Sequence, residues 1–224
     1  MFTGFTNQTF EFFMAIRFNN NRAFFQENHD WYWEHVRLPA LALAESLSPT
    51  VEAIDPLLER RPNRVVSRIN RDIRFTKDKS PYRDHLFLAF RRPGTDRQST
   101  PGLYFEITDQ EAYCGMGFYG ENRPRMNALR AELLRSPEEF SQIEQALEPD
   151  FTAHINAFKR MKIPDALPAS LRPWYLAKGF YMEKTSTDFS LFKSPALAEE
   201  IARSFQRLRA LYAYVIGLEP MEDN

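Results

Sequence analysis

Apolar positions along the chain divide it into a helical beginning, an alternating middle and a helical end. Phe10, Phe13 and Met14 recur at helical spacing behind Phe5-Thr6, which reads as a hydrophobic staple and N-cap. Asn19-Asn20-Asn21 disfavours continuation of this helix, and Asn21 is placed to cap a second one starting at Arg22. A long helix is predicted over 28–47, with Trp31, His35, Leu38 and Ala42 on one stripe. Pro39 removes a ladder hydrogen bond there and predicts a kink or a break. Pro49, Pro56 and Pro62 predict a loop over 49–63 with at most a short helical turn.

Alternation then takes over. Residues 64–75 read as a first strand, with Arg68, Asn70, Asp72 and Arg74 on one face and Ile69, Arg71, Ile73 and Phe75 on the other. Residues 84–92 come next, Leu86, Leu88 and Phe90 alternating with His85, Phe87 and Ala89. Pro93-Gly94-Thr95-Asp96 is a turn, and 102–108 and 112–119 form a hairpin around Asp109-Gln110-Glu111. Helical spacing returns at 122–134, and Ser136-Pro137-Glu138-Glu139 is a helix-start signal with Glu139 in the capping-box position.

Residues 147–175 hold four prolines and read as a long surface loop or a cover over a site. Residues 176–184 and 187–192 add a short helix and a strand. Ser194-Pro195 opens the last helix, whose stripe of Leu197, Ile201, Phe205, Leu208, Tyr212 and Val215 is core, and Gly217 ends it. Consecutive strands between helical segments predict an α+β fold. The expectation is a single domain over 1–224: helical 1–48, β-meander 64–119, helices and loop cover 122–184, C-terminal helix 195–216. Its antiparallel sheet would have four to six strands, with helices 6–17, 22–47 and 195–216 packed mainly on one face.

Composition changes this picture in one place. With 43% apolar residues the 224-residue chain buries a large core, and its net charge of −1 gives the whole molecule no pull toward nucleic acid or anionic membrane. Between Arg60 and Arg97, however, twelve Lys/Arg face four Asp/Glu, a local surplus of eight. Cys114 is the only cysteine, which excludes an intramolecular disulfide and suits a reducing compartment. No apolar run approaches the ~20 residues of a membrane span, and no basic stretch followed by an apolar core opens the chain. A cytoplasmic protein without a membrane partner is expected.

The basic surplus is densest over 68–83. Arg68, Arg71, Arg74, Lys77 and Lys79 stand among Asn70, Asp72, Asp78 and Tyr82, and Arg83 adds a sixth cation. The planar guanidinium fork suits carboxylate or phosphate recognition, whereas a merely solvated strand face would carry cross-strand pairs worth a few tenths of a kcal/mol each. Asp72, between Arg71 and Arg74, has its ionised form favoured and orients an arginine rather than moving a proton. Other chemistry is missing. Gly115-x-Gly117 lies in a strand without a following helix start, no nucleophile elbow occurs, and His29, His35, His85 and His154 have no metal-ligand spacing, so no metal site is expected.

Asn19-Asn20-Asn21-Arg22-x-x-Phe25, Val36-Arg37-x-Pro39 and Arg71-Asp72-x-Arg74-Phe75-x-Lys77-Asp78-Lys79-x-Pro81-Tyr82 resemble the conserved-hypothetical family known as domain of unknown function 2461. Gly115-x-Gly117-x-Tyr119 looks like that family's glycine-rich strand, where Trp is more usual than Tyr. The run from Leu176 through Lys178, Gly179, Phe180 and Tyr181 to Glu183 looks like its later characteristic segment. The resemblance covers nearly the whole chain; it implies a shared polar site but no activity, cofactor or catalytic residue. The expected site joins Asn20, Asn21 and Arg22 to Arg68, Arg71, Asp72, Arg74, Lys77, Lys79 and Tyr82, with Tyr119 and Lys178 toward its rim. Three readings stay open: a pocket for a phosphate-bearing small molecule or nucleotide, a nucleic-acid-binding module, or a buried polar network serving an interaction protein. Neither a reaction nor an oligomeric state can be derived from the sequence.

Overall fold

The computed structural model describes residues 1–74, 77–96 and 98–222. Phe75 of the expected apolar face, Thr76 and Arg97 of the basic run lie outside the described residues. The elements run α1 (Asn7–Phe18), α2 (Arg22–Glu27), α3 (His29–Tyr32), a π-helical turn (Trp33–Arg37), α4 (Leu38–Ile54), α5 (Pro62–Val65), β1 (Leu86–Phe90), β2 (Gly102–Ile107) and β3 (Ala112–Phe118). Then come α6 (Arg123–Arg135), α7 (Pro137–Gln145), β4 (Thr152–Ala157), α8 (Arg172–Tyr175), β5 (Ala177–Ser186), α9 (Phe189–Phe192) and α10 (Ala196–Gly217). The fold is α+β, with an open antiparallel sheet in the order β1-β2-β3-β5-β4.

Two compact units are distinguishable: Met1–Phe90 with Tyr104–Cys114 and Thr185–Arg203, and Arg91–Leu103 with Gly115–Lys184 and Ser204–Asn224. In the first, the helical spacing of α1 and α4 buries Phe12, Phe13, Ile16, Leu43, Leu47 and Val51. Pro39 acts as its chemistry requires. Lacking an N–H, it leaves the His35 carbonyl four residues back without its α-helical donor, and the hydroxyl of fully buried Thr9 donates to that carbonyl at 2.6 Å. The preceding turn widens to π geometry, with the Leu38 N–H bonding to the Trp33 carbonyl. Helix α4 then runs through Pro49 to Ile54 where a loop was expected, because its apolar stripe is wholly buried.

In the second unit Trp174 is almost fully buried, edge-on to Phe140 and Phe180 at 4.9 Å each, and its indole N–H donates to Glu144 at 2.6 Å. Buried Arg130 donates to the carbonyls of Tyr175 and Ala177 and to the Asn127 amide oxygen. Ser136 makes no side-chain cap on α7, although Pro137 occupies the expected first helical position. The segment expected as loop or cover contains β4, which pairs antiparallel with β5, His154 opposite Tyr181. The later order is also reversed: 177–186 is a strand and 189–192 a helical turn. Gly117 explains one glycine of the motif strand. It sits at φ +140°, and a Cβ there would come within 2.5 Å of the Phe180 carbonyl and Tyr181 Cα.

Candidate functional site

The first expected strand is not a regular strand over its described residues, 64–74. Its start belongs to α5, where Pro62 takes the opening position, and beyond Val65 the chain is extended and held by isolated bridges, Val66 to Leu88 and Asn70 to Tyr82. Alternation survives without the ladder: Arg68, Asn70, Asp72 and Arg74 are exposed, Ile69 is buried, and Arg71 and Ile73 are half-buried.

The centre of this irregular hairpin is Tyr82. On one side the chain is closed by Arg71 N–H to the Pro81 carbonyl at 2.9 Å and Arg83 N–H to the Ile69 carbonyl at 2.8 Å. The N–H and carbonyl of Tyr82 itself face the other way, where no strand lies among the described residues. The Asn20 side chain takes that place: its amide oxygen accepts from the Tyr82 N–H and its NH₂ donates to the Tyr82 carbonyl, both at 3.0 Å. An amide side chain carries the same donor and acceptor as a peptide group, so one asparagine stands in for a residue of a third strand. Asn21 caps α2 through the Phe24 N–H at 3.0 Å. The two asparagines thus build the hairpin and the helix beside it. The buried Tyr82 ring stacks on Phe25 with centroids 4.4 Å apart.

Charge on the hairpin is partly matched from within. Asp72 accepts from Arg74 through Nε at 2.9 Å and Nη2 at 2.6 Å, a two-pronged pair in open solvent. The guanidinium of Arg74 holds the Asp72 carboxyl at about 2. Asp78 is also held at about 2, first by hydrogen bonds from Ser80 and then by its ion pair with Arg71. Lys79 donates to the Ile73 carbonyl at 2.8 Å. Asp84, next along the chain, is committed elsewhere. Burial works against its ionised form, but bonds from Arg17 at 2.7 Å and from His85 outweigh burial and hold its carboxyl below the usual range. Arg17 also grips Asp109 of the β2–β3 turn with both terminal nitrogens. Arg22, Arg68 and Lys77 are exposed and have no partner among the described residues.

The chain matches the family model described as Conserved hypothetical protein (DUF2461) over residues 8–214. The chain belongs to this family. No curated protein matches it. The DUF2461 motif residues fall into distinct physical tasks in this chain. Asn20, Asn21 and Tyr82 shape the hairpin, Asp72 and Asp78 fix Arg74 and Arg71, and Arg68 and Lys77 are left facing solvent.

Tyr119 and Lys178 belong to the second unit. Tyr119 is 61% exposed. Lys178 bonds Glu121 at 2.8 Å, with its ammonium 5.6 Å from the Phe158 ring centre. Neither is part of the Tyr82 hairpin. Among the described residues no group of three or more His, Cys, Asp or Glu is placed to hold a metal ion, and no helix is long and apolar enough to cross a membrane.

Sequence reasoning missed an aromatic row. Tyr82 stacks on Phe25, Phe25 meets His29 edge-on at 5.8 Å, and His29 lies nearly parallel to Trp33 at 6.4 Å. The row leads from a buried ring to exposed ones. Phe25, His29 and Trp33 are spaced four apart, a helical-face signal that was legible in the sequence.

Proposed function

We propose that the first unit binds a phosphate-bearing ligand through exposed cations of the basic segment, with Arg68 and Lys77 as the principal contacts and Arg22 as a further candidate. One observation carries this reading. Residues 68–83 hold six cations and two carboxylates, and both carboxylates are spent inside the segment on Arg71 and Arg74. Asp84, the next acid, is occupied by Arg17. Arg68 and Lys77 therefore face solvent with no carboxylate partner among the described residues, and exposed guanidinium and ammonium groups attract an anion with several charges. The exposure of Arg68 and Lys77 favours an open face over a closed pocket. No reaction is assigned to it.

The test is thermal unfolding against inorganic phosphate, sugar phosphates, nucleotides and short oligonucleotides at low and moderate salt. A ligand at about 100 times its dissociation constant stabilises by about 2.7 kcal/mol, a shift of several degrees. Arg68→Ala and Lys77→Ala should each reduce that shift while leaving the ligand-free protein within about 0.5 kcal/mol of the parent, since neither group has a described partner. Silence across all compounds overturns the proposal. The polar-scaffold reading then takes its place; the Asn20–Tyr82 pairing and the internal Arg–Asp pairs already support it.

A further inference from the structure

The aromatic row gives the ligand a second recognisable part. Resting on the phosphate reading, we infer that the ligand is single-stranded nucleic acid, with its backbone on Arg68 and Lys77 and a base stacked on Trp33. Trp33 is 44% exposed and the His29 side chain 55% exposed, and their rings lie within 14° of parallel. His29 backs one side of the indole, and the exposure of Trp33 leaves a flat apolar surface for another planar ring.

Two independent ties hold this platform to the basic hairpin. At one end the row begins at Tyr82, whose backbone is bridged to the segment at Asn70. At the other, the π-helical turn that starts with Trp33 ends with Arg37. That guanidinium donates to the carbonyls of Val66 at 3.3 Å and Ser67 at 3.0 Å, and to the Asn63 side chain. The Ser67 carbonyl is the one immediately before Arg68. Trp33 and Arg37 are the first and last residues of that one turn. Stacking surface and free cation are thus fixed on the same piece of framework.

A strand suits this surface better than a lone nucleotide. Arg64, Arg68 and Lys77 are all exposed cations. Each exposed contact is weak alone, and a polyanion gains by releasing counterions from several of them. Asp30 and Glu34 beside Trp33 are exposed acids, so the cations come from the segment to which its helix is tied; a basic surface with stacking aromatics is the combination by which single strands are held without sequence preference. Base-paired nucleic acid offers its phosphates but keeps its bases stacked, and would leave Trp33 unused.

The experiment measures anisotropy of a labelled single strand of about twelve nucleotides, within the usual site size of such proteins. Competitors are unlabelled duplex of the same sequence, inorganic polyphosphate and a mononucleotide, each at two salt concentrations. The parent protein should bind the strand, more weakly at the higher salt, with quenching of tryptophan fluorescence. Trp33→Ala should weaken binding about 5- to 160-fold, and Trp33→Phe should recover part of the loss. Both variants are checked by circular dichroism and melting so that misfolding is not read as lost stacking.

If polyphosphate or duplex competes as well as the strand, and Trp33→Ala binds like the parent, the stacking inference is overturned while the phosphate reading stands. A mononucleotide that competes as well as the strand overturns the strand and leaves a nucleotide site. If no anion of any kind binds, both readings fail together.

Discussion

Replacing Asn20 by alanine strips the outer edge of Tyr82 of both its hydrogen bonds. Each is 3.0 Å long, and each has a backbone group of a residue only 6% exposed at its other end. A hydrogen bond contributes about 0.5–1.5 kcal/mol net, and a buried partner left unmatched costs about 1–3 kcal/mol. Asn20 is itself only half-buried, so water partly replaces it and the lower part of that range applies. The expected loss is about 2–3 kcal/mol for the pair. With a urea slope of about 2 kcal/mol per molar, the unfolding midpoint falls by about 1–1.5 M with the slope unchanged. Asn20→Asp keeps the acceptor for the Tyr82 N–H and loses the donor to its carbonyl, so it should lie between parent and alanine. Amide exchange at Tyr82 should quicken in both variants. A midpoint within about 0.25 M of the parent, roughly 0.5 kcal/mol, would show that Asn20 is not acting as a third-strand residue.

Arg17→Ala releases Asp84 and Asp109, the latter only 7% exposed, and should cost about 1–2 kcal/mol at neutral pH, an amount discounted because Arg17 is 38% exposed. Asp84 is depressed in the folded state, so its contribution is present above the unfolded value of about 3.9 and is lost as pH falls through the lower folded value. The gap between parent and Arg17→Ala should therefore narrow below about pH 4, and a gap that stays constant down to pH 2 would sink the assignment. Gly117→Ala combines an unfavourable φ of +140° with a backbone contact at 2.5 Å, and should lower stability by about 2 kcal/mol or more in thermal unfolding. Retention of the parent's melting temperature would mean that the β3 and β5 backbones separate more easily than their approach suggests.

What the sequence made legible was the part governed by period. Leu86, Leu88 and Phe90 alternate into the core as expected, and the stripe from Leu197 to Val215 is buried throughout. Asn21 caps the helix it was expected to cap. Misreadings arose where a side chain does the work of a backbone. Segment 64–75 alternates like a strand, yet Asn20 occupies the edge that a neighbouring strand would have paired. Thr9 likewise satisfies the carbonyl that Pro39 abandons, twenty-six residues away in sequence.

Strand β4 was missed because Thr152-Ala-His-Ile-Asn-Ala lacks strongly apolar alternation; it is an exposed edge stabilised by pairing with β5. In the candidate site the surplus of cations was visible, but not which of them remain free. Asp72 turns to Arg74 two residues on, while Asp78 reaches back seven residues to Arg71, and turn geometry decides both.

The π-helical turn carries one residue more between Phe25 and Pro39 than an ordinary helical turn would. Its Leu38 N–H reaches back five residues, to Trp33, instead of four. Deleting one residue such as Glu34 would let the Leu38 N–H reach the same carbonyl by an ordinary four-residue step, so the segments on either side would keep nearly their relative rotation. His29, upstream, keeps phase with Phe25; Arg37, downstream, keeps phase with the carbonyls of Val66 and Ser67. A chain shortened inside the wide turn can therefore keep both alignments. Loss of one residue inside the wide turn is accordingly easier to absorb than loss of one in a regular helix, where the phase shifts by about 100°.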